Sequence, residues 1–95
     1  MAGQIEGTVV SISDDGIAIT DISIDRLSGV PTDESVAIQC EGHTTQHIFP
    51  VEHGQPEMTL IAAQGQSGFL EISLVGDSVA TFLGIKTGSD VTVTW

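Results

Sequence analysis

Every cysteine and histidine of this chain falls within fourteen residues, CEGHTTQHIFPVEH, which set Cys40, His43, His47 and His53 beside Glu41 and Glu52. Zinc takes three or four nitrogen and sulfur ligands in a tetrahedral array, and two histidines at i and i+4 on a strand share a face. The segment is therefore a candidate metal site built on a hairpin. The paired Cys spacings of structural zinc sites are missing, so the competing reading is of surface histidines on a hairpin beside a partly buried thiol. A nucleophile pair of Cys40 and His47 needs hydrogen-bond reach and an oxyanion hole, and a structural cysteine is the simpler account.

The remaining polar constellations carry less. Asp14, Asp15 and Asp21 offer oxygens to calcium, but without the spacing of a calcium loop they read more simply as a polar hairpin tip. Ser67 beside Gly68 lacks the Gly-x-Ser-x-Gly spacing of a nucleophile elbow. Residues 65–68, GQSG, form a turn rather than a phosphate cradle, because neither a lysine nor a helix follows directly.

Thirteen acids against Arg26 and Lys86 alone give a net charge of −11. Such a field repels nucleic-acid backbones and anionic membrane surfaces and leaves a basic protein partner allowed. The acids are scattered singly or in pairs, as a solvated surface has them. Cys40 has no partner for an internal disulfide, the N-terminal residues have neither the basic nor the apolar run of a signal peptide, and no apolar stretch is long enough to span a bilayer; a cytoplasmic location is expected. With four aromatics in 95 residues, a single domain must build its core from Ile, Val, Leu and Ala, with Phe49, Phe69, Phe82 and Trp95 expected as its large pieces.

The elements that must position these residues are short. Strands are expected at residues 4–13, 17–24, 36–40, 46–51, 58–62, 69–74 and 91–95, separated by glycine turns, with the last of them, ending on Trp95, expected to be exposed. An Asp-Gly pair at 15–16 turns the first hairpin. The apolar alternation of the second strand slips near Thr20 and Asp21, which predicts a bulge there, and Gly7 marks a bulge or a close backbone approach. Pro50 confines its strand to an edge or a bulge, and residues 25–35 read as the longest irregular connection. The period changes once, at residues 77–84: Asp77 or Ser78 caps a short helix near residues 78–83 carrying Val79, Phe82 and Leu83, and Gly84 closes it. About seven strands and one helix predict an all-β fold, a small closed antiparallel barrel of Greek-key type, since closure removes the sheet edges that a sandwich would leave.

Two segments resemble the C-terminal β-barrel domain of the S-adenosylmethionine hydroxide adenosyltransferases and of the related chlorinases and fluorinases. Residues 7–22, in which a glycine and a Val-x-x-Ile strand lead to Gly16, Thr20 and Ile22, are similar to the family's pattern Ile-Asp-x-Phe-Gly-Asn-x-x-Thr-Asn-Ile. Residues 67–93 look like its closing run from Gly-x-Leu-Glu-Ile through Leu-Gly-Leu-x-x-Gly-Asp-x-Val. The resemblance implies a barrel that supplies one wall of an adenosine site, usually across a trimer interface, while a separate N-terminal domain supplies the rest. No counterpart of that domain is present in this sequence. The family's ligand-contacting Asp, Phe and Asn of the first motif fall on Ser13, Asp15 and Ile17, and the Asn of Thr-Asn-Ile falls on Asp21. In the second motif the position before Gly68, sometimes Arg, is Ser67, and the family's Asn-x-Gly falls on Val75, Gly76 and Asp77. A stacking ring has become a carboxylate and amides have become aliphatic, which argues against nucleoside binding.

The expectation is a free-standing, non-catalytic barrel with a degenerate adenosine site, acting as a binding or oligomerising module, with homo-oligomers and a protein partner expected. Two alternatives stand beside it: an in-trans half of an adenosylmethionine-dependent enzyme, and a zinc-dependent binder that uses the Cys/His hairpin. Neither adenosine or adenosylmethionine nor zinc is favoured as the ligand.

Overall fold

In the computed structural model, which describes residues 3–50, 54–65 and 67–95, the chain forms an all-β small barrel with one short helix. The strands are β1 (Gln4–Ile12), β2 (Ala18–Ser23), β3 (Ala37–Cys40), β4 (His43–Gln46), β5 (Ile48–Phe49), β6 (Leu60–Gln64), β7 (Phe69–Leu74) and β8 (Asp90–Thr94); the helix α1 spans Val79–Leu83 between β7 and β8. They make one sheet in the order β4-β3-β8-β1-β2-β7-β6-β5. All neighbours are antiparallel except β5 and β6.

The two ends of that order are the same piece of chain. Residues 43–49 pair with β3 through β4 and, after His47, with β6 through β5, so one kinked segment nearly closes the sheet on itself. His47 makes the kink with φ 71, in the left-handed region that side chains with a Cβ rarely adopt. The expected strand at 46–51 is thus two strands. The first begins at His43, directly after a tight turn whose residues Glu41 and Gly42 both have positive φ (50 and 81), as a two-residue hairpin of the primed type requires. The part of the expected strand at residue 51 lies outside the described residues.

Alternation places the core. Ile22, Ile38, Leu70, Ile72, Val91 and Val93 enter the core from their strands, Ile85 joins them from the connection after α1, and Ser78, Val79 and Gly84 give α1 its cap, its buried anchor and its left-handed end (φ 71), as the sequence predicts. Of the aromatics expected as large core pieces, Trp95 packs partly buried against the core, whereas Phe69 and Phe82 do not enter it. Phe69 is the outward first residue of β7 and Phe82 lies on the open side of α1, at 38% and 55% exposed.

The predicted bulge is present. The β2–β7 register shifts between Ile19 and Ser23, and the buried Thr20 hydroxyl fills the gap, donating to Leu70 O at 2.7 Å and accepting from Ile22 N at 3.2 Å. Gly7 marks a close approach: a Cβ there would lie 2.5 Å from Ile22 Cγ1. The irregular connection opens with a 3-10 turn, Ile24–Leu27, capped by Ser23. β8 is an inner strand between β1 and β3, not an exposed one, and Trp95 lies half-buried over Gly3, which exchanges two backbone hydrogen bonds with it (2.7 and 3.1 Å).

Candidate functional site

At one end of the barrel the β1–β2 turn meets the turn that leads from β7 into α1. Ser13 organises the first: its amide donates to Ile17 O (2.9 Å), its carbonyl accepts from Gly16 N (2.9 Å) and its Oγ accepts from Ile17 N (3.1 Å). Gly16, with φ 82, sits against Ser78, and its carbonyl accepts from Val79 N at 3.0 Å. Here the backbone at 16 must be left-handed and bare, because a Cβ would lie 2.4 Å from the Ser78 Cβ. On the other side, Asp77 N donates to Leu74 O (2.9 Å) and tightens the turn after β7.

Between the two turns lies a cleft of about 330 Å3 lined by Asp15, Ile17, Ser73, Leu74, Gly76 and Asp77. Three of the positions carried over from the family resemblance, Asp15, Ile17 and Asp77, therefore share one wall system, with Ser13 holding the turn behind them. Val75 is not part of the lining, and its backbone is engaged with the chain before β6, donating to Thr59 O (3.0 Å) and accepting from Met58 N (2.8 Å). Gly76, the middle residue of the Asn-x-Gly motif, lines the cleft as well, and Ser73 and Leu74 join the lining without having been singled out by sequence. Their only sequence signal is that they flank the Asn-x-Gly position at the end of β7.

The remaining three positions lie elsewhere. Asp21 accepts from Thr8 N at 2.9 Å and lines a separate groove of about 390 Å3 with Glu6, Gly7, Thr8, Asp90, Val91 and Thr92. Its carboxylate completes the ladder opposite the bulge, a structural task. Ser67 and Gly68 form the β6–β7 turn, where Ser67 Oγ donates to Glu71 Oε2 (2.8 Å) and Gly68 O accepts from Ile24 N (3.0 Å). The six residues of β7 put about 20 Å between this turn and the cleft. The three acids of the calcium reading are divided likewise, since Asp15 faces the cleft and Asp21 the groove.

The hairpin histidines point to different neighbours. Cys40 and His43 are cross-strand partners, with Cys40 buried. Desolvation, aided by the Glu41 and Asp90 carboxylates, pushes its thiol up to about 11, away from the thiolate that a metal or a nucleophile needs. His43 Nε2 lies 3.1 Å from Leu83 O at the end of α1, and the His47 ring stacks on Phe49 with centroids 5.5 Å apart. His53 and Glu52 lie outside the described residues. Among the described residues, no group of three or more His, Cys, Asp and Glu side chains comes close enough to share a metal ion.

The cleft offers two carboxylates, one hydroxyl and aliphatic side chains, a surface that accepts hydrogen bonds or positive charge and has no ring for stacking. Fold and cleft together define a small all-β barrel with an acidic end. No family model and no curated protein matches the sequence. The fold is similar to that of a conserved hypothetical protein from Thermus thermophilus (TM-score 0.73, 24% identity), covering 93% of this chain and 34% of that one. It is similar too to an uncharacterized conserved protein from Thermotoga maritima (TM-score 0.76, 21% identity), covering 93% of this chain and 35% of that one. At these identities the likeness is one of fold, and the chain spans about a third of the length of either protein. No helix among the described residues is long and apolar enough to cross a membrane.

Proposed function

We propose that this protein is a non-catalytic β-barrel module that works bound to another protein surface, as a homo-oligomer or with a partner, in the cytoplasm. Its end cleft corresponds to the adenosine wall of the S-adenosylmethionine hydroxide adenosyltransferase barrels, altered at the contact positions. The observation that carries this reading is the convergence of Asp15, Ile17 and Asp77 on one cleft. Part of the set of positions that resemble the family's site meets in space, yet Asp15 and Ile17 bear a carboxylate and an aliphatic chain where a stacking ring and an amide would give nucleoside affinity, and Asp77 adds a second carboxylate at a glycine position. The matching of this chain to a third of much longer proteins supports a barrel that operates beside other polypeptide.

That same length relation favours a second reading, in which the barrel completes an adenosylmethionine site in trans on a separately encoded domain. A thermal-shift titration with adenosine, adenosylmethionine and zinc separates the readings. A ligand at about 100 times its Kd adds roughly 2.7 kcal/mol of stability. The module reading expects no shift with any of the three. A shift with adenosine or adenosylmethionine puts the in-trans reading in its place, and a shift with zinc alone, lost in His43→Ala and His47→Ala, puts the histidine hairpin there. Sedimentation showing a monomer at tens of micromolar overturns the homo-oligomer.

A further inference from the structure

The barrel is held unevenly around its circumference. The β1–β8 ladder runs unbroken from Gln4↔Thr94 to Thr8↔Asp90, and the β6–β7 ladder from Leu60↔Leu74 to Gln64↔Leu70. Where residues 43–49 meet β6, the parallel ladder among the described residues is Ile48↔Ala62 and Phe49↔Ala63, and the Ile48 amide itself donates to Thr32 O (3.0 Å) in the connection before β3. Parallel pairing is somewhat weaker per residue than antiparallel pairing, and a ladder this short has little cooperative support. Ahead of it, between β4 and β6, the junction is a side-chain bond: Thr45 Oγ1 donates to Leu60 O at 2.8 Å. The segment reaches both neighbours only by passing through His47 at φ 71, a backbone state that persists where surrounding contacts hold it.

These features meet on one line along the barrel wall. We infer that residues 43–49 act as a strap whose contact with β6 opens as a unit, parting the barrel along the Thr45–Leu60 and Ile48–Ala62 line while the sheet from β3 through β8, β1, β2 and β7 to β6 stays paired. Closed, the strap covers the edge of β6 and buries Ile48. Open, it lets His47 leave its strained conformation and presents an unpaired strand edge. The opening is local, with a free energy below that of global unfolding.

Amide hydrogen exchange followed by NMR on the full chain tests this. The amides of residues 60–63 that face the strap are expected to exchange at least about ten-fold faster than those shared by β1 and β8, while the Ile48 amide, which donates to Thr32 O, reports the separate contact with the connection before β3. The rates at 60–63 should be insensitive to low urea, as for an opening that exposes little surface. Thr45→Val, which removes the bridging hydroxyl, should speed exchange along the seam roughly five-fold, the factor for one hydrogen bond of ordinary strength, and leave β1 and β8 unchanged. Equal protection at the seam and in the β1–β8 ladder in the unaltered protein would overturn the inference, as would a Thr45→Val effect spread evenly over all strands.

Discussion

Gly16 and Ser78 lie so close that a methyl group on Gly16 would sit 2.4 Å from the Ser78 Cβ, and through this contact the β1–β2 turn is seated on the first turn of α1. Both sequence segments with a family resemblance are joined at that point. The cleft exists because the contact holds its two walls at a fixed spacing.

Gly16→Ala should therefore cost about 2 to 4 kcal/mol, the sum of a left-handed φ of 82 imposed on alanine and an overpacked contact against backbone. Gly29→Ala is the matched control. Gly29 has φ 86 with open space around its missing Cβ, so it carries the conformational cost alone, about 1 kcal/mol. Urea unfolding of the two variants measures the difference, and equal losses would show that the Ser78 contact relaxes freely.

Thr20→Val keeps the volume of the side chain and removes its hydroxyl from the β2 bulge. Leu70 O and Ile22 N, both now served by Thr20, would be left in a buried place without that partner. The expected loss is about 2 to 3 kcal/mol, larger than for an exposed hydroxyl because the groups it satisfies cannot reach water. Denaturation midpoints at unchanged m-value check it.

Cys40 makes stability fall at alkaline pH. Burial raises its thiol from an ordinary value of 9.0 to about 11, so the folded chain keeps a proton that the unfolded chain releases. Its stabilising contribution is complete below pH 9 and is lost as pH rises toward 11, on the order of 2 kcal/mol over that window once solvent screening is allowed for. The chain has no tyrosine and one lysine, so few other groups titrate there. Cys40→Ala should flatten the pH 9–11 slope measured by chemical denaturation, whatever its effect at neutral pH; an unchanged slope would mean that the thiol ionises freely in the fold.

Salt should stabilise the fold. A net charge of −11 is confined to a body of 35 × 28 × 24 Å, within reach of unscreened repulsion at low ionic strength. Raising NaCl from about 0.02 M to 1 M shortens the screening length to about 3 Å and is expected to raise Tm by roughly 4 to 8 °C, equivalent to about 1 kcal/mol for a domain of this size. A Tm that stays flat across the series would show that the acids are already spaced beyond mutual influence.

Local chemistry was readable from the chain and closure was not. Ser78, Val79 and Gly84 specify α1 within one helical turn, and the slipped alternation at Thr20 marks the bulge, because both are decided by residues a few positions apart. His47 is different. Nothing in the residue type announces a left-handed kink, so the run that reads as one strand from 46 becomes the end of β4 and the whole of β5. The inner position of β8 depends on pairing with β1 and β3, each more than fifty residues away, and alternation cannot show which strands are neighbours. The same limit explains the cleft. Asp15 and Asp77 are brought to one cleft, from its two sides, by the Gly16–Ser78 contact, whereas Asp21, Ser67 and Gly68 are held by backbone duties that a linear motif does not reveal.

The pairing of Gly3 with Trp95 gives the barrel a freedom of connectivity. Their backbones exchange hydrogen bonds across neighbouring strands, so a linker of a few residues would join them without disturbing β1 or β8. New ends cut into the open loop around Gly29 would leave every strand ladder intact. The barrel is thus suited to circular permutation, and to insertion as a compact unit into a surface loop of another protein.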